Sequence, residues 1–172
     1  MTAQSSAPLA AITLVSEHPA DAPLVEALLD RAFGPGRYTK VSERVREFAD
    51  FAPELSVCAW GGDRLLGTVR IWRVAVGGQP VIFLGPFAVE QGERSAGFGA
   101  RLIERACEAA REAGESYVLL VGDETYFSRV GFSTAAGHAV ILPGPVDQRR
   151  VLVRALTPGP QLAGRVEPRQ RA

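Results

Sequence analysis

The spacing of apolar residues in the first third of the chain predicts one strand followed by two helices. Residues 11–15 form an apolar run that predicts the first strand. Asp21 can cap the helix that follows, whose apolar positions recur every three or four residues and which ends at the Gly-Pro-Gly sequence of residues 34–36. A second amphipathic helix is predicted over residues 42–51.

The middle of the chain has the pattern of consecutive antiparallel strands. Two apolar segments, residues 55–60 and 65–76, are joined by Gly-Gly-Asp-Arg at residues 61–64, which is a strong hairpin signal. Gly-Gly-Gln-Pro at residues 77–80 predicts a second turn, and this turn leads into an apolar run over residues 81–89 that predicts a buried strand.

The second half of the chain predicts a long helix and three more strands. Apolar residues at helical spacing predict a helix over residues 97–113. Residues 117–121 are short, apolar and branched, as in a central parallel strand. Residues 139–142 and 150–156 predict two final strands that pair antiparallel across a Pro-Gly-Pro turn.

Length and composition fit a single domain with a short tail. A chain of 172 residues can bury a sizeable core, and 47% hydrophobic with 22% charged residues is ordinary for a globular protein. We assign residues 1–156 to the domain. Residues 157–172 are rich in Pro, Gly and Arg, and we expect them to form a loose tail.

Charge and apolar patterning argue against nucleic-acid and membrane partners. The net charge is zero, so there is no electrostatic argument for binding nucleic acid or an anionic membrane. No apolar run approaches the length of a membrane span, and residues 1–8 lack the basic residues of a secretory signal, so we expect a cytoplasmic protein. Lys40 is the only lysine and asparagine is absent, which indicates the biased nucleotide composition of a GC-rich bacterium.

The cysteines and histidines do not have the spacing of a metal or redox site. Cys58 lies in a predicted strand and Cys107 in the long predicted helix, and both are expected to be small core residues. His18 and His138 lack neighbours at ligand spacing, so we expect no metal.

The junction between the strand at residues 81–89 and the following helix has the features of an anion-binding site. A polar turn is followed by Arg-Ser-Ala-Gly-Phe-Gly at residues 94–99, directly before the helix. Glycines let the backbone approach a ligand closely, and the first-turn N–H groups have no partner inside the helix. With the positive end of the helix dipole, these groups form a cradle for a pyrophosphate.

Two common glycine-rich motifs fit this junction poorly. The glycine spacing matches a Walker A loop, but Phe98 and Gly99 stand where that motif needs Lys and Ser or Thr. A Rossmann fingerprint begins almost directly after its strand, whereas seven residues separate Val89 from Gly97 here. Asp123 could imitate the ribose-binding acid of that fingerprint, so an NAD(P)-binding oxidoreductase stays as a weaker alternative.

Arg94, Gly97 and Gly99 instead fit the pattern Arg-x-x-Gly-x-Gly downstream of a buried strand. This pattern resembles the acetyl-CoA signature of the GNAT N-acetyltransferase superfamily. The resemblance implies an α/β (α+β) fold: a single mixed, mostly antiparallel sheet of six to seven strands with helices on both faces.

A second resemblance to this superfamily lies further along the chain. Residues 118–123 and 126–132 look like the strand, short helix and Gly-Phe turn that close the fold. The combination of residues 84–89 with Gly-Asp at 122–123 is similar to the YhbS-like branch. The clear match covers residues 81–132.

The resemblance also implies which residues bind the cosubstrate acetyl-CoA. The backbone of Phe87, Ala88 and Val89 would hold the pantetheine arm, and the Val89 amide would polarise the thioester. The pyrophosphate would be held by main-chain amides of the residues that open the helix: Arg94, Ser95, Ala96, Gly97, Phe98, Gly99 and Ala100.

The proton donor departs from the pattern of the superfamily. Related enzymes often have a Tyr four residues before the Gly of the Gly-Phe turn, where its phenol reaches the CoA sulfur. Phe127 occupies that position in this chain, and we count it as a cofactor contact. Tyr126, one residue earlier, is the candidate general acid, with a packing aromatic as the alternative. Glu90, Asp123 and Glu124 are candidate bases, although an N-cap role is favoured for Asp123.

The resemblance leads us to expect an N-acetyltransferase that moves an acetyl group from acetyl-CoA to a primary amine by direct attack in a ternary complex. We expect the acceptor to be a small molecule or a protein N-terminus, and the protein to be a monomer or homodimer. The alternative is a CoA-binding sensor or interaction module without turnover, which Phe127 favours. Candidate acceptor contacts lie between the first two helices and on neighbouring strands: Phe33, Tyr38, Arg44, Arg70 and Trp72.

Overall fold

The fold is built on a mixed sheet whose six main strands run in the order β1-β3-β4-β5-β6-β8. A computed structural model describes residues 11–170, without the side chains of residues 94–96. The strands in these residues are β1 (Ile12–Ser16), β2 (Asp50–Phe51), β3 (Val57–Gly61), β4 (Arg64–Val76), β5 (Gln79–Val89), β6 (Tyr117–Val121), β7 (Val140–Ile141), β8 (Val151–Ala155) and β9 (Gly164–Pro168).

All strand pairs in this part of the chain are antiparallel except β5 with β6 and β7 with β9. The predicted fold class, a mixed and mostly antiparallel sheet with helices, is therefore confirmed. The structure has more strands than the six to seven expected because it includes two strands of only two residues, β2 and β7, and also β9.

Five α-helices in the described residues cover the sheet: α1 (Ala22–Phe33), α2 (Val41–Phe48), α3 (Phe98–Glu112), α4 (Glu124–Phe127) and α5 (Thr134–Gly137). Successive residues of a strand point to opposite faces, so Ala88 packs against α1 while its neighbours Phe87 and Val89 pack on the α3 side. This alternation places α1 and α3 on opposite faces of the sheet, with β5 between them.

The second helix ends earlier than its sequence pattern predicts. The apolar spacing predicts a helix over residues 42–51, but α2 ends at Phe48, and Ala49 is extended, with φ −79° and ψ 149°. Asp50 and Phe51 then pair with Arg73 and Trp72 of β4. Backbone hydrogen bonds to this long strand replace those of a further helical turn.

The predicted pairing of the last two strands is also wrong. We expected residues 139–142 to pair antiparallel with residues 150–156, but β7 pairs parallel with β9 and β8 pairs antiparallel with β6. The Pro-Gly-Pro segment between β7 and β8 is therefore part of a longer connection instead of a hairpin turn. A short 3₁₀ helix, Gln148–Arg150, leads from that connection into β8.

The C-terminal segment belongs to the fold, in contrast to the loose tail predicted for residues 157–172. β9 pairs with β4 through Val74, Ala75 and Val76. Leu162 and Val166 are buried in a core cluster with Val74 and Val76. Paired backbone and buried apolar side chains thus fix this segment on the sheet; residues 171–172 lie outside the described part of the chain.

Gly67 on β4 lies in close contact with side chains of α3. A methyl group there would lie 2.7 Å from Leu102 Cδ1 and 3.1 Å from Phe98 Cε2. We expect Gly67→Ala to lower the free energy of unfolding by about 1–3 kcal/mol, because the fully buried side chains of Leu102 and Phe98 must shift to admit the methyl group. Urea unfolding would measure this change. Gly36→Ala is the matched control, since its methyl group meets no atom within 4 Å; equal midpoints for the two variants would contradict the prediction.

Candidate active site

Strands β5 and β6 separate and leave a cleft between them. Their parallel pairing is limited to Ile82 with Val118 and Phe83 with Leu119. Both strands continue beyond these pairs, β5 to Val89 and β6 to Val121, without further pairing to each other. A cavity of about 850 Å³ opens where they diverge, with walls from both strands.

A bulge in β5 bends this strand at the start of the cleft. Against β4, Leu84 pairs with Ile71 and Phe87 pairs with Val69, so two residues of β5 lie opposite the single residue Arg70. Trp72 Nε1 donates a hydrogen bond to the carbonyl oxygen of Gly85 within this bulge, at 2.6 Å. The bulge and this bond together hold the end of β5 away from β6.

The backbone of β5 after the bulge is directed into the cleft at alternate residues. Glu90 N–H donates to Leu66 O at 2.8 Å, so Glu90 belongs to a hydrogen-bonded pair of the antiparallel ladder with β4. Hydrogen-bonded and non-hydrogen-bonded pairs alternate along an antiparallel ladder, so Phe87 and Val89 belong to non-hydrogen-bonded pairs with β4. Their N–H and C=O groups therefore point away from β4, to the side on which β6 has separated.

The start of α3 lies beside the end of β5. Gly97 precedes the helix with φ 76°, a left-handed conformation that costs an L-residue about 1–2 kcal/mol. Gly99 lies in the first turn, where a methyl group would be 2.8 Å from Tyr126 Oη and 3.2 Å from Phe87 Cζ. Glycine is thus required for the close approach of this helix to the cleft, and the first-turn N–H groups face the same region.

A second cavity of about 270 Å³ joins the end of β5 to α3. Phe33, Phe87 and Tyr126 line both cavities, so the two are adjacent along these side chains. Ala88, Val89 and Gly99, all predicted cofactor contacts, line the smaller one. Arg94, Ser95 and Ala96, whose main-chain amides are predicted to hold the pyrophosphate, lie in a 3₁₀ helix over Gln91–Ala96; their side chains are outside the described part of the structure.

The cavities and backbone therefore bring together Phe87, Ala88, Val89, Gly99, Tyr126 and Phe127 of the predicted set. Phe98 does not reach the cavities: it is fully buried and packs with Leu102 in the core under α3. Ala100 is half-buried and packs against the same core. These two residues can contribute backbone groups of the first helical turn but no side-chain contact to the cleft.

Tyr126 and Phe127 both reach the cleft from the short helix α4. Tyr126 is 40% exposed, and burial raises the pKa of its phenol, with a smaller opposing effect from Arg129. The Phe127 ring packs edge-on against Phe87 and Phe132, at centroid distances of 6.2 and 6.0 Å. Phe127 is thus the packing aromatic of the pair, and Tyr126 carries the hydroxyl.

The three acids considered as bases each have a local partner. Glu90 Oε2 accepts a hydrogen bond from Arg31 Nη2 at 2.8 Å. Asp123 Oδ1 accepts from Thr125 N–H at 3.0 Å, which is the N-cap role favoured for it from the sequence. Glu124 Oε2 accepts from Thr134 N–H at 2.6 Å and so links α4 to α5. Of these acids, Asp123 lines the larger cavity.

The far wall of the larger cavity is formed by the α1–α2 connection, α2 and the segment before β8. Of the five candidate acceptor contacts, Phe33 is in this wall, whereas Arg70 is held by ion pairs to Glu17 and Glu26. Sequence reasoning missed the other charged side chains of this wall: Arg37, Lys40, Glu43, Arg46, Asp147 and Arg150. The amphipathic pattern of α2 could have indicated Glu43 and Arg46, which lie one turn apart.

Neither cysteine belongs to the site. Burial raises the pKa of the Cys58 thiol to about 12 and that of Cys107 to about 11. A thiol that stays protonated at neutral pH is a poor nucleophile, so both act as the small core residues predicted from the sequence. Within residues 11–170, no three His, Cys, Asp or Glu side chains are grouped so that they could hold a metal ion.

Comparison with known proteins identifies the family of this chain. The model of the acetyltransferase (GNAT) family matches residues 23–132. The chain belongs to this family. It is 32% identical over 125 residues to the uncharacterised N-acetyltransferase YhbS of Escherichia coli (strain K12), over 71% of this chain and 74% of that protein.

Solved structures of the GNAT family have the same fold. The crystal structure of E. coli YhbS in complex with CoA superposes with a TM-score of 0.76 at 26% identity, covering 97% of this chain and 94% of that one. A GNAT acetyltransferase of Brucella melitensis in complex with acetyl-CoA has a TM-score of 0.67 at 24% identity, covering 91% and 94% of the two chains.

Membership of the GNAT family confirms the predicted enzyme class, an acyltransferase, and acetyl-CoA as the predicted cosubstrate. The family match favours this class over the weaker alternative from the sequence, an NAD(P)-binding oxidoreductase. None of the helices in residues 11–170 combines the length and the apolar character that crossing a lipid bilayer requires.

Proposed function

We propose that this GNAT protein transfers the acetyl group of acetyl-CoA to a primary amine by direct attack in a ternary complex. The observation that carries this proposal is the separation of β5 from β6 after Phe83 and Leu119. It provides a cleft in which a cosubstrate can bind to the backbone of β5 while an acceptor enters from the α2 side. The acetyl thioester supplies an activated carbonyl and a thiolate leaving group.

The residues around the cleft fit an elongated cosubstrate with a pyrophosphate. The backbone of Phe87 and Val89 can hydrogen-bond an amide-containing arm in the manner of an added strand, since these groups point away from β4. The start of α3 offers N–H groups and a positive dipole to a pyrophosphate. Gly99 keeps the approach to the helix open, because any larger residue would meet Tyr126 and Phe87.

The two chemical demands of acetyl transfer can be met by separate groups. Negative charge develops on the carbonyl oxygen, and the Val89 N–H is the donor that we assign to it. The ammonium of the acceptor must lose a proton, and the acids near the cleft are each engaged in a local hydrogen bond. We therefore assign deprotonation to water within the cleft instead of to one carboxylate.

Tyr126 is the proton donor that we assign to the departing thiolate. Its raised pKa keeps the phenol protonated at neutral and mildly basic pH, which a general acid requires. We expect Tyr126→Phe to lower kcat by about 100-fold with little change in the KM for acetyl-CoA. Steady-state kinetics across pH would measure this loss, and kcat of the wild type should show no fall below the ordinary pKa of tyrosine, because the phenol stays protonated there.

Phe127→Leu is the matched control for the Tyr126 prediction, because it changes the neighbouring aromatic without removing a hydroxyl. It should affect stability and the KM for acetyl-CoA more than kcat, since Phe127 packs against Phe87 and Phe132. An equal loss of kcat in Tyr126→Phe and Phe127→Leu would show that Tyr126 acts by packing alone.

The alternative function, CoA binding without turnover, is separated from acetyl transfer by one pair of measurements. Thiol release from acetyl-CoA is followed with a panel of primary amines, and CoA binding is measured by calorimetry on the same preparation. Release that depends on the amine supports the proposal. Tight binding with no release above background, also in Phe127→Tyr, would overturn acetyl transfer and favour the binding module.

A further inference from the structure

The wall of the larger cavity carries more positive than negative side chains. Seven charged side chains line it, and four of them are cations: Arg37, Lys40, Arg46 and Arg150. The three acids are already engaged. Glu43 forms an ion pair with Arg46, and Asp123 accepts the N-cap hydrogen bond of α4. Asp147 forms an ion pair with Arg149, which is outside the cavity wall.

Two of the four cations are neutralised by acids of their own. Arg37 is buried and forms ion pairs with Glu26 and with Asp30, the latter at 3.1 Å. Arg46 has a side chain only 9% exposed and forms an ion pair with Glu43. Within the described residues, Lys40 and Arg150 form no ion pair within 4 Å with any acid; both are exposed side chains of the cavity wall, and the acid that Arg150 influences, Asp147, is already paired with Arg149.

Lys40 and Arg150 lie on different segments that the fold brings to the same cavity. Lys40 precedes α2, and its Nζ lies 4.3 Å from the centre of the Phe33 ring, which lines both cavities. Arg150 ends the 3₁₀ helix before β8, and its carbonyl oxygen accepts a hydrogen bond from Gly122 N–H at 2.9 Å, at the end of β6. This bond fixes Arg150 next to the point where β6 leaves β5.

The electrostatic effect of this arrangement is visible on Lys40. Burial lowers the pKa of its amine most, and the neighbouring charges of Arg150 and Arg46 lower it further. The cations are therefore close enough to repel one another. Like charges gathered around a ligand-sized cavity are stabilised when an anion binds between them.

We propose that the acceptor is a small amine that also carries a carboxylate or phosphate group, and that Lys40 and Arg150 bind this anionic group within the cleft. The proposal rests on the acetyl transfer proposed above, because it assigns the α2 side of the larger cavity to the acceptor and leaves the side of β5 and β6 to the cosubstrate. A cavity of about 850 Å³ shared in this way suits a small acceptor. The amine would then be directed past Phe33 and Tyr126 to the thioester.

The test compares three amines of equal length and similar basicity: ω-aminohexanoate, its amide and hexylamine. We expect kcat/KM to favour the carboxylate by about tenfold or more, the effect of one charge-assisted hydrogen bond. Lys40→Met and Arg150→Met should each reduce this preference about tenfold. Aminopropylphosphonate in the same assay distinguishes phosphate from carboxylate as the preferred anion.

Arg64→Met is the matched control. Arg64 is an exposed cation at the start of β4 and lines neither described cavity, so its loss changes the net charge equally without touching the anion site. The preference for ω-aminohexanoate should persist in this variant. An equal loss of preference in Arg64→Met and Lys40→Met would reduce the effect to net charge and overturn the proposal.

Two further outcomes separate this inference from the proposed function. If all three amines are acetylated with equal efficiency, acetyl transfer stands and the anion site is wrong. If no amine is acetylated but calorimetry in the presence of CoA shows ω-aminohexanoate binding that Lys40→Met abolishes, the anion site stands and acetyl transfer is wrong. A rise in the KM for acetyl-CoA in both variants, with unchanged amine preference, would assign the cations to the phosphates of the cosubstrate and overturn the inference.

Discussion

Replacing Val89 by proline is expected to lower kcat for acetyl transfer by about 100- to 1000-fold, the usual effect of removing one donor from an oxyanion site. Proline has no N–H and fixes φ at about −65°, which strands tolerate where the N–H takes no part in the ladder. The ladder with β4 should survive, because Gly67 and Val89 are a pair whose N–H groups are not exchanged between these strands. Single-turnover kinetics with saturating acetyl-CoA would measure the loss.

Val89→Ala is the control for this prediction because it shortens the side chain and keeps the amide. Val89 lines the smaller cavity, so we expect a moderate change in the KM for acetyl-CoA and nearly the kcat of the wild type. Thermal unfolding of both variants shows whether the strand is intact. If folded Val89→Pro retained the kcat of Val89→Ala, the role assigned to this amide would be wrong.

The cosubstrate side of the site could be predicted because its elements are local in sequence. The strand, the glycine-rich turn and the helix are consecutive, and Gly97 and Gly99 have the spacing that places both at the start of α3. The separation of β5 from β6 followed from family resemblance, and the ladder ends after Phe83 in agreement with it. The position of Arg94 stays a prediction.

The acceptor side could not be predicted because its residues meet only in the folded chain. Lys40 and Arg150 are 110 positions apart, and neither belongs to a motif. Their common cavity depends on the end of β6, which holds Arg150 through Gly122. The side-chain direction of Tyr126 was equally uncertain: α4 is a single turn, so both Tyr126 and Phe127 reach the cleft despite pointing in different directions from the helix.

The C-terminal strand was missed because its local sequence gives a weak signal. β9 reads Gly-Arg-Val-Glu-Pro, with one apolar residue inside it and proline at its end. Its stability comes from pairing with β4, about 90 positions earlier in the chain. Arg169 adds to this attachment: its guanidinium donates to Val74 O and Val81 O and forms an ion pair with buried Glu115 at 2.7 Å.

Truncation after residue 156 tests whether this segment is part of the folding unit. We expect the free energy of unfolding to fall by about 5 kcal/mol, since Leu162 and Val166 would leave the core at about 1.5–3 kcal/mol each and Glu115 would keep only its longer ion pair with Arg73, at 3.9 Å. Native domains of this kind have about 5–15 kcal/mol of stability, so the truncated chain should be barely folded at room temperature. Urea unfolding monitored by circular dichroism would measure the change.

Point variants in the full chain separate the contribution of β9 from an effect of shortening. Val166→Ala removes buried volume from the core cluster and should cost about 1–3 kcal/mol, whereas Glu167→Gln, at the exposed neighbouring position of the same strand, should stay within about 0.5 kcal/mol of the wild type. A tail that does not pack would give the same midpoint for Val166→Ala, Glu167→Gln and the truncated chain. If β9 packs, the urea midpoint should be highest for Glu167→Gln, lower for Val166→Ala and lowest for the truncated chain. This order would show that β9 closes the core beside β4, on the same sheet that positions the acetyl-transfer cleft.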